Sequence, residues 1–487
     1  MKNEAIAVGD IGGSGGRVSI LSRNPRGYRL EPVHEFTHLA GEFHLPENGL
    51  PVRRLYWDLF AIYNGLCEGL ARIARRDVRL VALGMDGWGS DGVWLSSRGD
   101  QLFPSVIAND GRWREAREEV DRLMPGRERF DLTGTYPDDF LVVNQIFWMK
   151  THHPGIIRES RCFVPLPSLY HYWFSGEIAA EYTWAAAGHL GSVMRKAWAN
   201  EVFDRLGLPL GKMPPFRQTG GVLGRCHADL ADRLGLPRFA VMTPPNHDTA
   251  CAFAAAPVTP GKTTLIISAG TWWCAGAYLP LALVNDDVFE SRFSNVGGVE
   301  GAVLNAIKMG SLPLQAMRRE WAQEDGKQMT WDEMGSLAAA EFRPDIDFPI
   351  DDPRLRTPPD MARTVARLAG LAPEAATRGK LAALVHQGLA HSAARLARSL
   401  SAVLKRDVEE ILVIGGGAAN DLMNQWLADI SGIPVRTGSP SAATLGNALV
   451  QAVSLGWFSD IAEGLDAIKS LWREKVFLPG GKGESRG

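Results

Sequence analysis

Apolar and polar positions along the chain alternate between short strand-like runs and longer helical stretches. Residues 6–22, IAVGDIGGSGGRVSILS, read as an apolar strand, a glycine-rich turn and a second apolar strand. A similar unit recurs at 263–278, TTLIISAGTWWCAGAY, again a strand, a small-residue turn and a strand. The two predict a chain of two related halves, each opening with a hairpin around Gly and Ser/Thr. Any two hairpins share this much, so the pattern alone leaves duplication and coincidence equally open. Between them Val78–Asp86 predicts a buried strand followed by a turn and the short strand VWLSS. Trp113–Met124 and Leu141–Lys150 predict helices. The Pro- and Gly-rich segments Arg205–Phe216 and Pro237–Pro245 predict a boundary near residue 245. Beyond the second hairpin, Arg343–Pro359 predicts a surface loop and Lys380–Leu404 a long amphipathic helix. VEEILVIGGGAAN predicts a buried strand running into a triple glycine, and Leu422–Ser431 and Ala442–Leu455 predict further helices. The polar, glycine-rich tail from Gly480 predicts disorder.

The charge-free stretch 263–284 is long enough to span a bilayer. It holds Ser268, Gly270, Thr271, Gly276 and Pro280, and two buried strands joined by a tight turn account for it better than a membrane helix. At 487 residues, with 45% hydrophobic and 22% charged, the chain reads as a globular protein of two to three domains' worth of core. Lys+Arg 52 against Asp+Glu 55 leaves a net charge of −3, which calls for neither nucleic acid nor an anionic membrane. Five scattered cysteines without a CxxC pair read as reduced thiols in a cytoplasmic protein. Glu4 and Asp10 interrupt any apolar run of a signal peptide.

The candidate chemistry starts at Asp10, which ends the first strand two residues before Gly12-Gly13-Ser14-Gly15-Gly16-Arg17. Such a turn lets the backbone approach an anion and aim N–H groups at it. A carboxylate there would repel a bare phosphate, and makes sense with a divalent cation between them; the plainer alternative is a glycine hairpin with a capping Asp. No GxxxxGK[ST] occurs, and the GxGxxG match at Gly87–Gly92 runs into a strand instead of opening a helix. Gly415-Gly416-Gly417 lies between a strand and a helix holding Asn420 and Asn424, where glycine leaves room for a flat ring or a phosphate, or only makes a tight turn. Asn246-His247-Asp248-Thr249 precedes an Ala-rich helix at the expected boundary. A helix cap explains one residue of this cluster and leaves His247 unexplained.

These pieces, in this order, resemble the FGGY family of carbohydrate kinases, and within it the rhamnulokinase branch. GDIGGSGGR is similar to the family's first phosphate loop, GMDGWGSDGVWL to its GIDTWGVDF strand, and PSLYHYWFSGEIAAEYTWAAAGHL to its EYT-containing stretch. NHDTACAFAAAP is similar to the segment carrying the catalytic base, ISAGTWWCAG to the second phosphate loop, FSNVGGVEG to ITNEGGxxG, and LVIGGGAANDLMNQWLADISGIPV to the nucleotide segment. The resemblance implies an α/β fold of two actin-like (ribonuclease-H-like) domains with an interdomain active-site cleft. It places a sugar-binding domain at 1–245, a nucleotide-binding domain at 246–457, and a C-terminal helix and tail at 458–487. It implies a kinase transferring the γ-phosphoryl group of ATP to a ketose such as L-rhamnulose, with L-fuculose or another ketose or polyol as alternatives. By the same resemblance Asp248 is the catalytic base; Asp86, Gly89, His247 and Asn295 contact the sugar. Gly13, Ser14, Gly15, Gly16, Arg17, Gly270 and Thr271 cradle phosphates, Gly416, Gly417 and Asn420 hold the adenosine, and Asp10 serves Mg²⁺ through its outer shell. Thr249 and the helix N-terminus are expected to keep Asp248 ionised. A homodimer is one assembly the chain admits.

Four departures bear on the sugar: Val296 where the branch has Glu, Gly87 where it has Thr, Ser168 where it has Asp, and Ser441 where it has Glu. The rival readings are a nucleotide-gated actin-like module without kinase activity, and an actin-like phosphatase or ATPase. Intact Asp10 and Asp248 speak against the first, and His247 and Asn295 against the second.

Overall fold

The computed structural model describes every residue except 1, 2, 14, 48, 109, 357, 481–483 and 486–487. Ser14 and most of the polar tail therefore lie outside the described residues. The chain forms two units. The first comprises Met1–Ala255, Tyr278–Leu304 and Ala443–Leu471; the second comprises Ala256–Ala277, Asn305–Ala442 and Trp472–Gly487.

The first unit opens with three antiparallel strands, β1 (Asn3–Gly12), β2 (Gly15–Asn24) and β3 (Gly27–Thr37). Ala5, Ile6, Ala7 and Val8 of β1 are fully buried, as an unbroken apolar run requires of a strand covered on both faces. Helix α1 (Leu59–Ile73) is capped by Asp58, whose carboxylate accepts from Ala61 N–H at 3.0 Å. Its Ile62, Leu66, Leu70 and Ile73 recur at helical spacing and pack on the sheet with Val18 and Ile20, each burial contributing about 1.5–3 kcal/mol. β4 (Val78–Gly87) then lies parallel to β1. β5 (Val222–Arg225) and β6 (Ala240–Met242) complete a six-stranded sheet of order β5-β6-β4-β1-β2-β3. Helix α2 (Asp248–Ala254) follows and stays with this unit, so the division falls after residue 255, not at 245. The reason is local: Gly87 N–H donates to Asn246 carbonyl at 3.0 Å, tying the segment before α2 to the end of β4.

The second unit repeats the opening. β7 (Thr264–Ala269) and β8 (Trp272–Leu279) form an antiparallel hairpin, as the uncharged stretch predicts. Helices α3 (Leu312–Asp325) and α4 (Arg378–Leu404) follow, and β9 (Glu410–Ile414) then pairs parallel to β7, as β4 does to β1. This shared pairing order favours related halves over two unrelated hairpins. Helix α5 (Asp421–Ser431) and β10 (Val435–Thr437), parallel to β9, complete the part relevant here. The segment 343–359 is not a plain surface loop: Phe348, Ile350 and Leu355 are buried. It lies so close to α4 that a Cβ on Gly388 would stand 2.7 Å from the Phe348 carbonyl oxygen.

The chain then returns to the first unit in helix α6 (Ala442–Ser454) and the helix Ile461–Ile468. Among the described residues no helix is long and apolar enough to cross a membrane.

Candidate active site

Strand register builds the centre of the first unit. Asp10 and Asp86 are direct lateral partners on the parallel strands β1 and β4. A bridge between Gly87 and His247 then brings the start of α2 beside the end of β4. Three carboxyl groups from distant parts of the sequence thus come under one another's influence. Burial, then the charges of Asp10 and Asp248, hold Asp86 well above the usual carboxylate range. Burial also raises Asp10, against the hydrogen bond from Thr444 and the charge of Arg17. Partial burial and the charge of Asp10 push Asp248 up to about 7. The expectation that Asp248 is held firmly ionised is thereby corrected. Thr249 N–H does donate to its Oδ1 at 2.5 Å, but the low-dielectric surroundings and the like charge outweigh that bond. Asp248 is also the first residue of α2, with His247 at the cap position.

His247 lies over Gly89: a Cβ there would stand 2.8 Å from the ring Nε2. The ring Nε2 is 3.7 Å from Asp248 Oδ1, and burial lowers the imidazole to about 4, so it is neutral at pH 7. Its Nδ1 is buried without a partner, as are Asp86 Oδ1 and Asn246 Oδ1. Buried polar atoms left unpaired are costly, and beside a cluster of acids they mark groups that await a polar ligand. Asp86, Gly89, His247 and Asp248 are therefore brought together.

Asn295 is not. Its amide donates to the carbonyls of Gly134 at 3.2 Å and Leu283 at 2.9 Å, and its Oδ1 accepts from Leu283 N–H at 2.8 Å. The side chain is fully buried and brackets two loops through these three bonds, its Oδ1 accepting one of the two hydrogen bonds it can take. Val296 beside it is also buried. Ser168 accepts from Asn246 Nδ2 at 2.9 Å, which gives that departure a place next to the site.

In the β1–β2 turn, the glycines divide. Gly13 faces open space. Gly15 and Gly16 are small because β3 covers them, a Cβ on Gly16 falling 2.3 Å from the Phe36 ring. Arg17 stands opposite Asp10 in the hairpin, and its Nε donates to Glu35 Oε1 at 2.8 Å. In the second unit, Gly270 and Thr271 form the β7–β8 turn, held by Ser311 N–H and Leu312 N–H donating to their carbonyls at 3.0 and 3.2 Å. The turn after β9 adjoins it: a Cβ on Gly417 would meet Ala269 Cβ at 2.4 Å, and Gly415 takes φ +77°, where glycine is unstrained. Gly416 belongs to the same turn. Asn420 caps α5, its Oδ1 accepting from Met423 N–H at 3.0 Å.

Two sets of residues were not singled out from sequence. Thr444 and Asn447 on α6 donate to Asp10 Oδ2 and Asp86 Oδ2, each at 2.6 Å. Buried Glu181 accepts from Asn246 N–H at 2.9 Å and from Thr183 Oγ1 at 2.6 Å, fixing the strand of chain that ends in His247. The EYT string was the available signal for the second set, and nothing local announced the first.

The chain was compared with known proteins. The profile of the FGGY family of carbohydrate kinases, N-terminal domain, matches residues 10–254, and that of its C-terminal domain matches 265–455. A rhamnulokinase of Bacteroides thetaiotaomicron is 28% identical over 466 residues, covering 95% of this chain and 93% of the relative. A rhamnulokinase of Halalkalibacterium halodurans is 26% identical, covering 98% and 99%. Among solved structures, gluconate kinase from Lactobacillus acidophilus superposes with a TM-score of 0.75 at 15% identity, covering 98% of this chain and 94% of its own. Xylulose kinase from Rhodospirillum rubrum gives 0.74 at 19%, with the same coverage. The α/β architecture of two actin-like, ribonuclease-H-like domains is thus shared, and with both family profiles spanning nearly the whole sequence, this chain belongs to the FGGY family of carbohydrate kinases.

Proposed function

We propose that the protein transfers the γ-phosphoryl group of ATP to a hydroxyl of a ketose, with L-rhamnulose as the first candidate. The observation that carries this reading is the meeting of Asp86, Asp248 and His247, the last lying over Gly89, with buried polar atoms left unpaired. Asp248 takes the proton of the attacking hydroxyl as the new P–O bond forms and the bond from the γ-phosphorus to ADP breaks. A base that titrates near pH 7 suits this proton transfer, being ionised enough to accept a proton and basic enough to hold it. Neutral His247 and Asp86 Oδ1 orient the sugar hydroxyls. For the ATP phosphates the assignment is Gly13, Ser14, Gly15, Gly16 and Arg17 with Gly270 and Thr271; for the adenosine, Gly416 and Gly417, with Asn420 shaping the turn.

A divalent cation fits the donors present. Asp10 lies beside Asp86 and under the influence of Asp248, a concentration of acid groups that a cation relieves. Among the described residues no group of three or more His, Cys, Asp or Glu side chains stands ready to hold a metal, so phosphate oxygens and water would supply the other ligands. Bound Mg²⁺ would offset charge on the phosphates.

The curated relatives named rhamnulokinase support L-rhamnulose, whereas Val296 in place of Glu makes for a less polar pocket and keeps L-fuculose or another ketose or polyol as alternatives. A coupled ADP-release assay with ATP·Mg²⁺ and a panel of ketoses, aldoses and polyols decides. L-rhamnulose preferred by a wide margin supports the first candidate and shows Val296 to matter little. ADP release that no sugar increases would overturn the kinase reading in favour of an ATPase or a nucleotide-gated module.

A further inference from the structure

Helix α6 carries Thr444, Asn447 and Gln451 at spacings of three and four, which places them on one face. That face reaches β1 and β4 because small residues clear the way. A Cβ on Gly446 would stand 1.8 Å from the Cys251 carbonyl oxygen, so α6 crosses α2 in direct backbone contact. A Cβ on Gly84 would stand 2.8 Å from the Gln451 amide.

The hydrogen bonds on this face run in one direction. The Ala7 carbonyl can only accept, so the Gln451 amide must turn its NH₂ toward it, at 3.0 Å. The same NH₂ donates to Asn447 Oδ1 at 2.6 Å. Asn447 therefore has its oxygen committed, and its NH₂ is the group left to face Asp86, donating to Oδ2 at 2.6 Å. A single backbone carbonyl of β1 thus dictates, through two amides, that a donor faces Asp86. Asp86 Oδ2 is occupied and Oδ1 is not. Asp86, Asn447 and Gln451 are each 1% exposed or less, so water does not supply substitutes for these bonds.

We infer that Asn447 is a positioning residue for Asp86, oriented by Gln451, and that together they hold Asp86 with Oδ1 free for a sugar hydroxyl. The inference rests on the reading that Asp86 contacts the sugar. Without Asn447 the carboxyl of Asp86 loses the donor that fixes its rotation, and either oxygen can turn away from the substrate.

The test uses the full chain with ATP·Mg²⁺ and L-rhamnulose, measuring kcat and both KM values. Asn447→Leu and Gln451→Met keep bulk and remove the donors. Each is expected to raise the sugar KM ~10-fold or more while leaving the ATP KM within about twofold, as loss of a hydrogen bond to a charged group does. Should Asn447→Leu fail to fold, Gln451→Met carries the test, since it leaves Asn447 and Asp86 in place. The decisive arm is the same pair of substitutions in an Asp86→Asn background, where the sugar KM should move no further. An equal rise in that background, matching changes in both KM values, or no change at all would overturn the inference. If Asp86→Asn alone leaves the sugar KM unaltered, the sugar assignment of Asp86 falls, and the positioning role falls with it. A raised KM in Asp86→Asn with unaltered values in the α6 variants overturns the positioning role alone.

Discussion

Replacing Asp248 by Asn should lower activity and raise stability together. The carboxyl moves from the ordinary 3.8 to about 7 in the folded protein, roughly three units at about 1.36 kcal/mol each. A fully shielded group would cost about 4 kcal/mol; this side chain is 35% exposed, and screening by water reduces the cost to about 1–2 kcal/mol. Because the folded carboxyl holds its proton more tightly than the unfolded one, the penalty is absent below about pH 4. It grows as the unfolded chain ionises between about pH 4 and 7 and is complete above about pH 7. Asn carries no charge to penalise. Asp248→Asn should therefore melt about 1–2 °C higher at pH 8, with a smaller gain at pH 5. Its kcat should fall ~10²–10⁴-fold through loss of the base. Calorimetric melts at the two pH values, beside ADP release at saturating substrates, test both halves. Full activity would refute the catalytic role, and a lower melting temperature at pH 8 would refute the electrostatic account.

Other outcomes follow from the same contacts. For the wild type, kcat/KM for the sugar should climb about tenfold per pH unit below about 7 and level off above, since Asp248 must be ionised to accept a proton; a flat profile from pH 5 to 8 contradicts this. Gly446→Ala drives a methyl into the Cys251 carbonyl and should cost about 3 kcal/mol in a urea titration. Glu181→Ala strips the acceptor from buried donors at Thr183 and Asn246 and should cost about 3 kcal/mol or more, with Glu181→Gln milder, read by the same titration. Asn295→Ala should lose about 2 kcal/mol of stability with the sugar KM within about twofold; a large KM change at unchanged stability would restore it as a sugar contact.

What could be read from the sequence was what is local. The glycine turns after β1, β7 and β9, the uncharged hairpin and the helix after Asp248 each declare themselves within a dozen residues. The adjacency of Asp10 and Asp86 does not, because a parallel register joins strands separated by a helix and four further strands. The polar face of α6 is invisible for the same reason, as its partners lie hundreds of residues earlier. Asn295 shows the limit of a matched motif. The string around it identifies the residue, but only the backbone carbonyls of Gly134 and Leu283 reveal where its amide is spent. For Asp248 the sequence reveals the location and misleads on ionisation, since no reading along the chain shows its burial or places a second carboxylate beside it.

The late return of the chain to the first unit has a consequence for biosynthesis. Asp10 leaves the ribosome 434 positions ahead of its partner Thr444, and Asp86 waits 361 positions for Asn447. The strands of the first unit can form early, but its acidic centre remains uncompensated until most of the second unit has been made and α6 emerges. A fragment ending at Ala255 would hold the strands without α6, leaving two buried carboxyl groups bare. The nascent protein is thus kept from assembling its reactive centre until α6 has been made.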